Sequence, residues 1–141
     1  LNMRDSCFWK VVDTTHDEIP SFTYNFRAPY PSILGKLPDT VVKATGFNMN
    51  IKIAEADSVT IAIEGDTLNN DEFIVKTVSP KLNNYGFTFD EIKSIRPSEV
   101  WGNRQRLVIQ AYKTTIQEFE GRYFRFTKLF IFNASVWVKK E

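Results

Sequence analysis

The chain has 141 residues, of which 43% are hydrophobic and 25% charged, a composition that excludes a disordered tail and a collagen-like fibre. Its 18 Lys and Arg residues against 17 Asp and Glu give a net charge of +1, so no global field draws it to DNA or an anionic membrane. Cys7 is the only cysteine, which rules out an internal disulfide. We find no membrane segment, since no apolar run reaches the roughly 20 residues of a spanning helix. The first residue is Leu1 instead of Met, so we expect that a preceding segment has been removed.

Proline recurs through residues 20–38, and proline both fixes φ and lacks the donor that a β-ladder needs. We therefore predict an irregular, Pro-rich N-terminal arm over 1–38. Residues 39–141 are predicted to be a β-rich body, and together they make a single domain over 1–141.

The body begins with β-branched residues in alternation. The stretches VVKATGFNMNIKIAEA (41–56) and SVTIAIEG (58–65) predict two strands joined by a turn at Ala56 and Asp57. Val59, Ile61 and Ile63 fall on one face of the second strand.

A helix is predicted at about 70–84, with Asn70 or Asp71 as its N-cap. Apolar residues follow at helical spacing at Phe73, Ile74, Val78 and Leu82. The next motif, TFDE (88–91), fits a weak capping box and is compatible with a helical turn or the start of a strand. We favour a strand beyond Ile92.

Two long β-like stretches end the chain, RQRLVIQAYKTTIQEF and RYFRFTKLFIFNASVWVK, separated by Glu120 and Gly121. They predict a long antiparallel hairpin at about 104–138. With Glu120 and Gly121 as its loop, one face carries the core pairs Leu107–Ala134, Ile109–Phe132 and Ala111–Phe130. The same register sets Lys113 opposite Lys128, and two like charges in this position cost stability unless an acidic group lies nearby. Alternatively, a bulge shifts the pairing, or this half of the hairpin contacts a partner. The fold class is therefore α+β, mainly antiparallel sheet of sandwich or barrel type with one short helix.

The last strand admits two interpretations. Its cations and aromatic residues could bind RNA, but Phe124, Phe126, Phe130 and Phe132 share the core face and are needed inside. The other face alternates apolar with polar residues, which favours cover by a protein partner over a specific nucleic acid. The candidate subunit interface is Arg122, Tyr123, Arg125, Lys128, Leu129, Ile131 and Trp137, with the three cations at its rim.

The residues give no support for an enzyme. His16 beside Asp17 lacks a nucleophile and further metal ligands, and no catalytic signature surrounds Cys7. The acidic residues between positions 55 and 72 lack the spacing of a calcium loop. We expect no catalytic residue, no metal and no cofactor.

The central stretch from KLPDTVV to SPKLN resembles the middle of bacteriophage and contractile-injection tail-tube subunits. In that family a Leu-Pro pair precedes a strand, a loop and a second strand follow, and a short helix opens with Asn-Asp. The matching positions are Leu37-Pro38, Val59 to Ile63, Asn70-Asp71 and Phe73. The resemblance implies a non-enzymatic structural subunit of a virion that self-associates into rings stacked as a tube.

The order of strands and helix also resembles small periplasmic domains of inner-membrane proteins in type IV pilus and secretion systems. This alternative implies an interaction scaffold located in the periplasm. Particle size separates the two, because a tube subunit forms large oligomers and a scaffold domain forms monomers or dimers.

Overall fold

The computed structural model describes residues 6–12, 18–25, 29–65 and 73–141, and side chains within 29–65 and 73–141. These residues divide between two compact units. Unit 1 takes Leu1–Pro29 and Thr114–Thr127, and unit 2 takes Tyr30–Lys113 and Lys128–Glu141. The mostly β fold with a long C-terminal hairpin is confirmed. The single domain over 1–141 stays a prediction.

Unit 1 contains two N-terminal strands, β1 (Ser6–Val12) and β2 (Glu18–Asn25). They pair antiparallel, with an irregularity in the register between Trp9 and Val11. The prediction of an irregular arm over 1–38 is wrong for these two strands. The arm was inferred from proline, but Pro20 lies near the start of β2, a strand with a single partner, and such a strand tolerates a missing donor.

Unit 2 contains the remaining strands and two one-turn helices. Their bounds in chain order are β3 (Ser32–Leu34), β4 (Thr40–Val42), β5 (Phe47–Met49), β6 (Lys52–Ala54), β7 (Ser58–Glu64), β8 (Phe73–Val78), β9 (Tyr85–Phe87), α1 (Phe89–Ile92) and α2 (Ser98–Trp101). The last two strands, β10 (Gln105–Phe119) and β11 (Arg122–Lys139), supply residues to both units. The strand predicted over 41–56 is thus divided into β4, β5 and β6, with a turn at Lys43–Thr45 and Gly46 at a φ of 68°.

A five-stranded sheet in the order β4-β11-β10-β7-β8 forms the main layer. In this sheet β7 runs antiparallel to both β10 and β8, whereas β4 runs parallel to β11. The registers place one row of buried aliphatic residues along the sheet: Ile61 lies opposite Ile109, and Ile63 lies opposite Leu107. The alternation read from the sequence of β7 is confirmed.

The core lies between this face of the sheet and a second layer of short elements. The second layer consists of the strand pairs β3–β6 and β5–β9 and the residues near α1, and it contributes the buried side chains of Met49, Ile51, Tyr85, Phe87, Ile92 and Ile95. Gly86 of β9 is required for this packing, because a Cβ there would overlap the carbonyl oxygen of Phe47 on the paired strand β5. The part of the sheet face that carries Ile61, Ile109 and Val136 is therefore closely packed.

The helix predicted at 70–84 is wrong, because Phe73–Val78 is the strand β8. Its candidate N-caps, Asn70 and Asp71, lie outside the described residues. The sequence FIVKTV is rich in β-branched residues, and pairing with β7 sets Ile74 opposite Ile63 and Val78 opposite Val59. Tertiary pairing thus overrides the apolar spacing that also fits a helix.

The capping box at residues 88–91 is confirmed. Thr88 is the N-cap of α1, its hydroxyl accepts from the backbone N–H of Glu91, and the Glu91 carboxylate accepts from the backbone N–H of Thr88. The strand expected beyond Ile92 is wrong, since a turn and then α2 follow and the next strand starts only at Gln105.

A buried polar network fastens α2 to the base of the hairpin. The Ser98 hydroxyl donates to Gln105 Oε1 (2.5 Å) and accepts from the backbone N–H of Val138 (2.9 Å), while Gln105 Nε2 donates to the carbonyl of Arg96 (2.6 Å). The Ser98 hydroxyl and the side-chain amide of Gln105 thus both have hydrogen-bond partners, so burying these polar groups costs little. The network fixes the position of a helix too short to be stable alone.

The turn between β10 and β11 is at Glu120 and Gly121, as predicted. Their φ values of 51° and 74° are both positive, as in the two-residue turns that match the twist of a hairpin.

An ion pair joins the edge strand β8 to α1 and makes stability depend on pH. Lys76 Nζ lies 2.7 Å from both carboxylate oxygens of Glu91. This hydrogen bond, assisted by the one from Thr88, lowers the pKa of Glu91. The contribution is present above the pKa of the unfolded chain, about 4.5, and is lost as the pH falls through the lower pKa of the folded state.

We expect the Glu91→Gln variant to have a lower free energy of unfolding than the wild type at neutral pH, since glutamine keeps the cap but loses the charge. The gap should close as the pH is lowered through the acidic range, in urea unfolding at a series of pH values. Asp90→Asn is the control, because Asp90 and its partner Lys93, 3.7 Å away, are both exposed. A gap that persists at the lowest pH would contradict the assignment.

Candidate assembly surface

The outer face of β11 in unit 2 exposes two aliphatic side chains. Val136 and Val138 point to the core and are buried, whereas Leu129 and Ile131 point the other way and are 43% and 49% exposed. Trp137 is half-buried on the same outer face. The alternation agrees with the two faces read from the sequence.

Over the described residues, the edge of β11 beside Leu129 and Ile131 has no neighbouring strand. β4 pairs with β11 only from Trp137 to Lys139, so within the described strands nothing pairs with the preceding residues of β11 on that side. An edge of this kind presents backbone donors and acceptors to another chain. Exposed aliphatic side chains and an open edge therefore coincide at residues 129–131.

The opposite end of the sheet has the same two properties. β8 is the other edge strand among the described strands, and Phe73 and Val75 on its outer face are 52% and 50% exposed. Val75 lies opposite Ala62, which lies opposite Val108, so an apolar row crosses the outer face. Interpretation of the sequence missed this edge because it assigned β8 to a helix; the β-branched alternation of FIVKTV was the signal that could have found it.

Phe132 departs from its predicted core position. Phe130 and Ala134 pack against the core, but Phe132 on the same face remains 37% exposed and stacks on Phe130, with ring centroids 6.3 Å apart. The reason is that Phe132 lies beyond the end of β4, where no strand continues the sheet over the described residues. The inner face of β11 is thus only partly covered near the open edge.

The sequence predicts Lys128 as a cation at the rim of the interface, but the structure buries it. Its side chain is 7% exposed, and the ammonium lies 4.2 Å from the centroid of the Tyr30 ring. A cation over an aromatic face in a desolvated place is stabilised by the ring quadrupole. The contact depends on a residue almost a hundred positions away in sequence, so no local pattern could have predicted it.

The acidic group that the predicted register requires near Lys113 is Asp57. Lys113 Nζ donates to Asp57 Oδ1 at 2.8 Å, and this hydrogen bond, with the charges of Asp57 and Glu55, raises the pKa of Lys113. The hydroxyls of Thr114 and Thr127, one position farther along the hairpin, lie 3.2 Å apart. The predicted register is therefore compatible with the observed contacts.

The remaining candidate interface residues belong to the outer half of the hairpin, in unit 1. Arg122, Tyr123 and Arg125 are all exposed, and the rings of Phe119 and Phe124 meet edge to face with centroids 5.8 Å apart. Among the seven predicted residues, the structure groups Leu129, Ile131 and Trp137 on one face within unit 2 and buries Lys128.

The described residues contain no cluster of His, Cys, Asp and Glu side chains that could hold a metal ion. His16 lies outside them, and Cys7 belongs to β1. Among the described helices, none is long and apolar enough to cross a membrane. Comparison of the chain with family models, curated proteins and solved structures found no match.

The Asp57→Asn variant should have a lower free energy of unfolding than the wild type, because it leaves Lys113 opposite Lys128 without the Asp57 carboxylate. The deficit should shrink at high salt, which screens like charges, and it should largely disappear in the Asp57→Asn/Lys113→Met double variant. Denaturant unfolding at two salt concentrations measures both effects. Asp39→Asn is the control. It removes the carboxylate from an ion pair with Lys36 in which both side chains are exposed, so it should change the free energy of unfolding little. Equal deficits in the two variants would refute the role of Asp57.

Proposed function

We propose that this chain is a non-enzymatic structural subunit that self-associates through the outer face and open edge of β11. The observation that carries the proposal is the coincidence of two exposed aliphatic side chains, Leu129 and Ile131, with an unpaired length of strand in the described sheet. Addition of a strand there would satisfy the backbone groups of the edge and cover the side chains at once.

A second edge makes a head-to-tail contact geometrically reasonable. β8 and β11 lie toward opposite ends of one sheet, and both edges carry exposed apolar residues. If the β8 edge of one copy pairs with the β11 edge of the next, the interface is heterologous and the assembly closes into a ring or grows as a filament. Ring closure would accord with the resemblance to tail-tube subunits, which implies a virion protein and a stacked tube.

Energetics supports an interface of this size. Full burial of an exposed Leu or Ile side chain contributes about 1.5–3 kcal/mol. Because Leu129 and Ile131 are already about half covered, the two together supply about 1.5–3 kcal/mol beyond the backbone hydrogen bonds. Phe73 and Val75 on the facing edge would add to this. Contacts of this kind are mainly apolar, so we expect assembly to weaken only modestly as salt rises.

Replacing Leu129 and Ile131 together by lysine should abolish oligomers, because it removes the buried aliphatic groups and sets like charges against each other at the edge. The matched control is Asn50→Lys with Asn103→Lys, which adds the same charge at exposed polar positions outside β8 and β11. Light scattering after size exclusion, with negative-stain microscopy, measures the particle size of each variant.

The proposal predicts large particles for the wild type and for the control variant, and monomers for the Leu129 and Ile131 variant. A wild type that is monomeric or dimeric at high concentration would favour the periplasmic scaffold instead. Tight binding of single-stranded RNA or DNA by a monomer, with a steep dependence on salt, would show that β11 is a nucleic-acid surface.

The non-enzymatic part of the proposal has its own test. Replacing both Cys7 and His16 by alanine should leave the biological activity of the chain intact, because neither residue is assigned a catalytic role. Conversely, a variant that keeps its circular dichroism spectrum but loses the biological activity of the chain would return these residues to the candidates for catalysis.

A further inference from the structure

The edge strand β8 and the unpaired stretch of β11 in unit 2 match in length. β8 has six residues. The unpaired stretch of β11 starts at Lys128, its first residue in unit 2, and ends at Asn133, because the carbonyl of Ser135 already accepts a hydrogen bond from Arg104 Nη1 (3.3 Å). A strand as long as β8 therefore fits beside residues 128–133 without displacing this contact.

The backbone groups at the two edges have matching orientations. The N–H of Trp137 donates to the carbonyl of Asp39 beside β4 (2.9 Å), so every second residue of β11, including Leu129 and Ile131, directs its backbone groups to that edge. The same alternation, followed across β10 and β7, gives Val75 and the residues two positions from it this orientation at the edge of β8. On both edges, the residues that offer backbone hydrogen bonds thus carry outward side chains.

The direction of the strands is also determined. β8 is antiparallel to β7, β7 is antiparallel to β10, and β10 turns back into β11, so β8 and β11 of one copy run in opposite directions. A second copy that continues the sheet with its outer face on the same side therefore sets its β11 antiparallel to β8. The possible registers differ by steps of two residues, because a shift by one exchanges the two faces. Only two of them stay short of Ser135 and keep both Leu129 and Ile131 opposite β8.

These two registers are similar on the outer face. The Val75/Ile131 register sets Val75 opposite Ile131 and Thr77 opposite Leu129. The Val75/Leu129 register is shifted by two residues and sets Phe73 opposite Ile131. In the first register Phe73 is still diagonal to Ile131, and Val75 is diagonal to Leu129, within reach of aromatic and long side chains. The apolar contacts of the outer face therefore do not decide between them.

Two lysines on the inner face distinguish the registers. Lys76 points inward from β8 and pairs with Glu91 at 2.7 Å, while Lys128 points inward from β11 and is 7% exposed. The Val75/Leu129 register sets these lysines directly opposite each other. Like charges in this position destabilise a strand pair, and burial of Lys128 reduces the screening by water.

The Val75/Ile131 register instead gives the inner face aromatic and aliphatic neighbours. It sets Ile74 opposite Phe132, a residue that is 37% exposed in the single chain. It also sets Lys76 opposite Phe130, and an aromatic ring is a favourable neighbour for a cation. Lys76 already lies over such a ring in its own chain, 4.8 Å from the centroid of Phe87. This register thus covers an exposed ring without opposing like charges.

We infer that neighbouring copies pair β8 with β11 in the Val75/Ile131 register and that Lys76 and Lys128 exclude the register shifted by two residues. The inference rests on the proposed self-association and adds which edge is the partner and how the strands align. Inward charged residues on edge strands protect natural sheets against wrong pairing. In this chain they select one alignment of the pair.

The test is disulfide formation between variants with one cysteine each, made in a Cys7→Ser background that removes the native cysteine. Leu129→Cys protein is mixed with an equal amount of either Thr77→Cys or Val75→Cys protein and oxidised. The Thr77→Cys mixture should form disulfide-linked dimers about tenfold faster, because only its cysteines lie opposite each other. The diagonal position is about 7–8 Å away between Cα atoms, beyond the usual span of a disulfide.

A second comparison does not depend on Leu129. Ile131→Cys protein should form dimers with Val75→Cys protein and about tenfold more slowly with Phe73→Cys protein. Each variant oxidised alone is the control against pairing of two like edges. Light scattering under reducing conditions shows which variants still assemble, and the Ile131→Cys mixtures decide if Leu129→Cys protein does not.

The role of the lysines has a separate test. Adding Lys76→Met to the Val75→Cys protein removes one of the two opposed charges and should raise its rate of disulfide formation with Leu129→Cys protein severalfold. Lys81→Met, at an exposed lysine outside β8, is the matched control and should leave that rate unchanged.

Three results would overturn the inference while the proposed self-association stands: particles that cross-link as fast through the shifted pairs, dimers formed by a single variant alone, or no effect of Lys76→Met. A wild type that forms no particles refutes the proposed self-association, and the alignment of the strands is refuted with it.

Discussion

The register of β10 against β7 is the constraint on which the rest of unit 2 depends. It sets Leu107 opposite Ile63 and Ile109 opposite Ile61, so that four fully buried side chains form one continuous apolar surface. A slip by one residue would turn this set to the outer face and bring Val108 and polar neighbours inward, which the core could not accommodate. Because β10 continues through the turn at Glu120 into β11, the same register also decides which side chains of β11 are covered.

The short length of β4 determines where the candidate surface lies. Its pairing with β11 ends at Trp137, and the side chains of β11 become less covered on both faces before that point: Ile131 is exposed on the outer face and Phe132 is partly exposed on the inner one. Natural sheets protect long edges with charges, prolines or bulges. β11 has a buried lysine at Lys128 near the open stretch, but its outward residues at 129 and 131 are aliphatic. That combination is a reason to expect a partner at the edge.

The hairpin was predictable from sequence because local signals agree with the fold: alternation runs along both strands, and a glycine stands where the turn needs a positive φ. Strand β8 was not predictable from sequence, because its apolar residues at 73, 74 and 78 fit a helix as well as a strand. Only the pairing with β7 decides between the two. The alternation of β11 predicted which side chains face inward, but it did not predict how far each is buried. Burial there depends on the length of β4 and on the contact of Tyr30 with Lys128, which both involve residues distant in sequence.

The base of the hairpin also determines where α2 lies. The Ser98 hydroxyl bonds to the backbone of Val138 in β11 and to Gln105 in β10, so α2, which carries Val100, is fixed to the strands that form the edge. A helix of one turn has no stability of its own, so the position of α2 follows the position of these strands.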